Sequence, residues 1–227
     1  MTQTLLIAAP VLLWIMTAFY LTAFIALLKL FRQDTSHPIP LLMAGIVFGL
    51  CYDAFVLALG AFLGDGALLK ILSYPRYILH GALIPLMLPL CAYALEADQK
   101  VLKAVGAVTG VLVLLGAVAG LKMSLKALDF AGITRYIADT ALTPAWANGL
   151  LNLLSIVPTL VLIVCGVILW KKKGKKELTL AGLLMMVFSA IGPATGHMDI
   201  NFLLSMFGEL GMVIFFWIYA KKDAQND

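Results

Sequence analysis

The chain has 227 residues, of which 63% are hydrophobic and 12% charged, with a net charge of +4 and a mean hydropathy of +1.02. A water-soluble domain of this length cannot carry so apolar a composition, so lipid must be its solvent. The basic excess lies in short clusters beside apolar runs, which excludes the continuous cationic face of a nucleic-acid binder.

A membrane-spanning helix needs about 20 mainly apolar residues. Seven such runs follow one another, near residues 4 to 31, 41 to 64, 75 to 96, 101 to 122, 148 to 170, 178 to 195 and 200 to 220. The expected fold is therefore all-α, a single polytopic domain built as a seven-helix bundle. The first run has no Lys or Arg ahead of it and exceeds the apolar length of a signal peptide, so it is expected to stay as a helix.

The second run carries Gly45, Gly49 and Asp53 at four-residue steps. Four-residue spacing keeps one helix face, so Asp53 is expected to share the glycine face that packs against protein. Gly60 and Gly64 repeat the spacing further on. The third run is expected to begin at Pro75, a residue suited to a first helical turn. It places Arg76 and His80 one turn apart with Tyr77 beside them, and its prolines, Pro85 and Pro89, free the carbonyls of Gly81 and Pro85 and invite a kink. The fourth run holds two further small-residue pairs, Gly106 with Gly110 and Gly116 with Gly120, expected to touch different neighbours.

Residues 123 to 147 form the one sizeable connection. Leu125, Leu128, Phe130, Ile133, Tyr136 and Ile137 alternate there with Lys126, Asp129, Arg135 and Asp139, which predicts an amphipathic helix lying in the interface, at the mouth of the bundle or on the headgroups. Pro144 and Trp146 mark re-entry. The fifth run then shows Asn148, Asn152 and Ser155 as one polar stripe, with Pro158 behind them. After the Gly192-Pro193 break come His197 and Asp199, and the seventh run continues with Asn201, Ser205 and Glu209 at the same four-residue step.

Orientation follows from the Lys and Arg residues. With the N-terminus outside, Lys29, Arg32, Lys100, Lys103, Lys171, Lys172, Lys173, Lys175, Lys176, Lys221 and Lys222 are cytoplasmic. Only Lys70, Arg76, Lys122, Lys126 and Arg135 remain outside, so the C-terminus is expected inside, in a plasma or inner membrane. Cys51, Cys91 and Cys165 each sit within an apolar run without a C-x-x-C partner, and are read as packing residues.

The polar faces of four runs thus share one half of the bilayer and predict an outward-opening cavity. Ionisable groups inside a membrane usually mark function. The favoured reading is a metal-assisted hydrolase acting on a lipid or amphiphile. His80, His197, Asp53 and Asp199 would hold a divalent metal such as zinc, Glu209 would act as general base, and Arg76 would bind a phosphate or oxyanion. Tyr77, Asn148, Asn152 and Ser205 would contact the substrate. The alternative is a proton-coupled transporter or anion binder in which Arg76 holds the anion and Asp53, His80 and Glu209 carry protons. Residues 1 to 96 and 148 to 220 share helix count but no motif, so no internal repeat supports transport. A haem held between His80 and His197 is the third reading. No late H-x-x-x-H pair occurs, and the seventh run has no Lys between Asn201 and Tyr219 for a Schiff base. The expected partners are membrane lipid and a small amphiphilic or anionic substrate, with no nucleic acid.

Overall fold

Among the described residues, seven helices are long and apolar enough to cross a membrane. The structure, a computed structural model, describes residues 3 to 196 and 198 to 224, with side chains described from residue 8 onward except at 198 and 199. The spans are α1 (Gln3–Gln33), α2 (Ile39–Leu63), a broken third span made of α3 (Ala67–Leu83) and α4 (Met87–Ala94), then α5 (Gln99–Leu121), α6 (Ala145–Lys173), α7 (Glu177–Thr195) and α8 (Met198–Asp223). Each helix packs on its sequence neighbour, and α8 returns to α1, closing a ring that α2 crosses to reach α4 and α8. Large side chains left exposed, such as Leu114 and Leu160, coat the outside, where lipid is as apolar as they are.

With no hydrophobic drive between helices in lipid, close backbone approach supplies the packing. A Cβ on Gly116 would strike the carbonyl of Gly81, and one on Gly120 would meet the backbone of Tyr77 and Ile78, so this pair seats α5 against α3. The other expected pair does not pack. Nothing lies within 4 Å of a Cβ built on Gly106 or Gly110. Along α2 the glycine row faces the broken span: a Cβ on Gly45 or Gly49 would come within 3.0 Å of a Leu86 or Leu83 methyl. Between those leucines, Ile84–Leu86 form a single 3₁₀ turn around Pro85, a break at membrane depth that is tolerated because protein covers it.

Two expectations are corrected. The third span starts at Ala67, with Pro75 inside the helix. The apolar residues Leu68, Leu69, Ile71 and Leu72 carry the helix through the preceding loop, and Tyr52 donates a hydrogen bond to the Leu72 carbonyl at 3.0 Å in the turn before the proline. Arg76 therefore lies about 14 Å along the helix from its start, at 1.5 Å per residue, and not at the surface.

The segment expected as an interfacial helix is instead an antiparallel hairpin of β1 (Leu125–Phe130) and β2 (Ile133–Ala138), paired from Leu125 opposite Ala138 to Phe130 opposite Ile133. Ala131 and Gly132 form its two-residue turn, with φ of 55° and 74°, the left-handed pair that a tight hairpin demands. Ile133, Thr134, Tyr136 and Ile137 favour a strand, and their alternation competes with the helical reading. Ala131 and Ile133 are fully buried within the main core, so the hairpin tip is inserted into the bundle. At Gly60 a Cβ would collide with the Thr134 carbonyl.

The opposite end is tied by ion pairs. Lys173 meets Glu96 at 2.5 Å, Lys175 meets Asp223 at 2.7 Å and Lys222 meets Glu177 at 2.5 Å. The Lys173 ammonium holds the exposed Glu96 carboxyl below its ordinary value.

Enlarging Gly116 tests the α3–α5 seam. Gly116→Val is expected to destabilise the protein by roughly 1 to 3 kcal/mol, the usual range for overpacking, whereas Gly110→Ala should change stability by about 0.5 kcal/mol or less. Thermal unfolding of both variants in one detergent checks the contrast.

Candidate functional site

Continuing the row of Gly45 and Gly49 one more turn brings Asp53 opposite Arg76. The Arg76 Nε donates to Asp53 Oδ1 at 2.6 Å, with the two side chains 13% and 25% exposed. The face predicted from four-residue spacing is thus the one that packs. Asp53 is residue 15 of the 25 in α2, and His80 is residue 14 of the 28 from Ala67 to Ala94, so both lie near the middle of their spans, and Arg76 and His80 lie deeper along theirs than a start at Pro75 implied.

Beside this pair lies a cavity of about 280 Å³, lined by Asp53, Arg76, Tyr77, His80, Asn148, Asn152, Ser155 and Glu209, with Met123, Ala138 and Leu151 as further lining. Four helices therefore converge as their polar faces require: α2 supplies Asp53, α3 supplies Arg76, Tyr77 and His80, α6 supplies the Asn and Ser stripe, and α8 supplies Glu209. At roughly 30 Å³ per water, the space corresponds to on the order of nine waters.

The hairpin closes one wall. Arg76 Nη1 donates to the Tyr136 carbonyl at 3.4 Å, and the Tyr77 hydroxyl donates to the same oxygen at 3.2 Å. Tyr136 is itself anchored, its hydroxyl donating to Asp65 Oδ1 at 2.5 Å. That bond to Asp65 holds the phenol above its ordinary value, so it contributes stability below about pH 10 and is lost as the phenol ionises above that. Two features were missed from sequence: the Tyr136 carbonyl and the hairpin-root residues Met123 and Ala138.

His80 and Ser155 meet at 2.9 Å between Nε2 and Oγ. The serine hydroxyl also donates to the Leu151 carbonyl at 2.9 Å. One hydroxyl has one proton, so with that proton on Leu151 the Ser155 oxygen accepts from His80 Nε2–H, leaving Nδ1 of the neutral ring as an acceptor. Glu209, 7% exposed, has an Oε2 that is buried without a hydrogen-bond partner among the described residues.

Other expected site residues fall elsewhere. Ser205 donates to the Phe202 carbonyl at 2.9 Å and is not among the cavity-lining residues. Asn201 packs against Gly192. His197 and the side chain of Asp199 lie outside the described residues. Of the four expected metal ligands only Asp53 and His80 are described, and both already have protein partners. Among the described residues no three His, Cys, Asp or Glu side chains converge to hold a metal ion. Cys51, Cys91 and Cys165 are free thiols, away from the cavity lining.

Neither a scan against protein-family models nor a search of curated proteins finds a match for this chain.

Removing one member of the Asp53–Arg76 pair strands a charge in the bundle. Asp53→Asn is expected to destabilise the protein by roughly 3 kcal/mol, and a double variant with Arg76→Gln should recover a large part of that loss. A double-mutant cycle of unfolding in detergent gives the coupling directly.

Proposed function

We propose that this chain is a proton-coupled, small-molecule-binding membrane protein whose ligand sits in the cavity between α2, α3, α6 and α8. The observation that carries the reading is Glu209. A carboxyl group so buried, with an oxygen lacking a partner among the described residues, lines a polar cavity. Buried polar atoms normally have partners, and one left over beside a void is where a ligand or a proton is taken up.

The cavity is read as ending within the bundle. Leu27, Met43, Met87, Leu90, Met212 and Phe216 are fully buried and belong to the core that continues toward the lysine-rich end. The site is thus read as open toward the hairpin end and sealed by apolar packing beyond it, as in a carrier loaded from one side. The metal-assisted hydrolase is less well supported, because Asp53 and His80 are engaged by Arg76 and Ser155. A simple anion site at Arg76 is also weakened, since that guanidinium already meets a carboxylate and a carbonyl.

The hairpin end is proposed to face outward and the Lys171 to Lys176 cluster to face the cytoplasm of a plasma or inner membrane, following the positive-inside rule. Single cysteines in a background lacking the native thiols test it. Lys126→Cys should react with a membrane-impermeant maleimide on intact cells, and Lys172→Cys only after permeabilisation. The reverse pattern would refute the orientation.

For the cavity, thermal-shift screening of purified protein against small polar amines, carboxylates and zwitterions should find at least one class that raises the Tm by several degrees. Asn148→Trp, which fills the space from α6, should abolish that shift while eluting as the parent does on gel filtration. A screen without any stabilising class, or one whose hits persist in Asn148→Trp, would count against the site.

A further inference from the structure

The cavity's charges do not balance. Asp53 and Arg76 cancel across their 2.6 Å contact, which leaves Glu209 as the remaining formal charge on a wall whose other groups are Tyr77, His80, Asn148, Asn152 and Ser155. Its uncommitted groups are weighted toward acceptors. Glu209 Oε2 has no partner among the described residues, Asp53 uses only Oδ1 toward Arg76, and His80 presents Nδ1 once Nε2–H is given to Ser155. Asn148 and Asn152 add amide oxygens, and amide N–H groups that suit a hydroxyl or carbonyl on the ligand.

A carboxylate out of water needs a counter-charge, and Arg76 is already satisfied. That leaves two occupants, a proton on the carboxyl or a cation against it. Resting on the ligand-site reading above, we propose that the cavity takes a small organic monocation with N–H donors, a primary ammonium, and that it exchanges with a proton at Glu209. The exchange balances simply: the carboxyl O–H proton leaves to solvent as the ammonium arrives with its own positive charge, so the cavity's net charge is the same with either occupant. Proton and ligand then compete for one carboxyl, which is the thermodynamic basis of coupling. Among the described residues, the other ionisable groups around Glu209 are Tyr20 on α1, Asp53 on α2, and Arg76, Tyr77 and His80 on α3. Of these, His80 is the one whose ordinary titration overlaps neutral pH, so its contribution must be separated from that of Glu209.

The test uses the full chain in detergent, with n-butylammonium as probe and n-butyrate, tetramethylammonium and sodium ion as comparisons. Calorimetry in buffers of different ionisation enthalpy counts protons. Butylammonium is expected to bind with release of about one proton per chain, its affinity falling up to tenfold per unit as pH drops. His80→Gln, which removes a lining acceptor, should weaken binding while the proton released per bound ligand stays at about one. Glu209→Gln should lose both binding and release, and Glu209→Asp should keep both with weaker affinity. Should Glu209→Gln not fold, the parent's pH slope still decides, because pH-independent binding overturns the proposal.

Butyrate binding that is lost in Asn148→Trp, with no effect of butylammonium, would overturn the ligand class and leave the cavity reading standing. Equal binding of tetramethylammonium would refute the need for N–H donors, and sodium binding with the same proton release would replace the organic cation by an inorganic one. Failure of every probe here, joined to a negative thermal-shift screen, would remove both readings together.

Discussion

A guanidinium held at the level of the hydrocarbon is the constraint around which the rest of the bundle is arranged. Arg76 cannot be left alone there, and its hydrogen bonds reach different parts of the chain, Asp53 on α2 and the Tyr136 carbonyl on β2. Satisfying it fixes the rotation of α2, because Asp53 can reach it only if Gly45 and Gly49 turn toward the same span. It also fixes the hairpin, because a strand at this place offers a carbonyl that a helix would have spent internally. Tyr77 reinforces the second contact from the adjacent position. The cavity is what remains when these groups meet: its walls are polar because Arg76 required polar neighbours, and its volume persists because the hairpin root and α6 stand beside them.

Packing and chemistry are joined at the break in the third span. Gly81 and Gly116 bring α3 and α5 into backbone contact, immediately after His80 and before the 3₁₀ turn at Ile84–Leu86. The helix axis can change direction there because Gly45 and Gly49 admit Leu86 and Leu83 from the other side. His80 consequently closes the last turn of α3 with its ring against Ser155, at a depth where an unbroken helix would place it differently against α6. Small residues in this protein thus do more than shorten interhelical distances; they decide how deep the polar groups of one helix lie relative to those of the next.

Much of this was legible in the amino-acid pattern. Hydropathy marked all seven spans because each must satisfy the same bilayer thickness, and the four-residue row from Gly45 to Asp53 found the packing face. The polar stripe of Asn148, Asn152 and Ser155 and the Glu209 position likewise lead to the same cavity. What was not legible depended on tertiary context. Pro75 reads equally as a first-turn residue or an interior one, and only tertiary contacts such as the Tyr52 hydrogen bond to the Leu72 carbonyl decide. In residues 125 to 138 the apolar positions fit both a helical and an alternating period, and the Ala131–Gly132 turn is a weaker signal than Asn–Gly would be. Gly106 and Gly110 have the spacing of a packing pair but face outward, since spacing alone cannot say whether a neighbour is present. Ser205 keeps the four-residue step from Asn201 to Glu209, yet bonds its own backbone.

The two ends of the bundle are fastened by different physics. At the hairpin end the ties are mainly inserted apolar residues, a tight turn and hydrogen bonds to carbonyls, with one exposed ion pair between Lys126 and Asp139 at 3.5 Å. At the other end they are three Lys–carboxylate pairs joining the α4–α5 connection to α6, the α6–α7 connection to α8, and α7 to α8. Pairs of that kind, where solvent reaches them, weaken as dissolved ions shorten the Debye length to about 8 Å at physiological strength. Ionic strength therefore acts more strongly on the lysine-rich mouth, which has three such pairs, than on the hairpin mouth, which has the single Lys126–Asp139 pair.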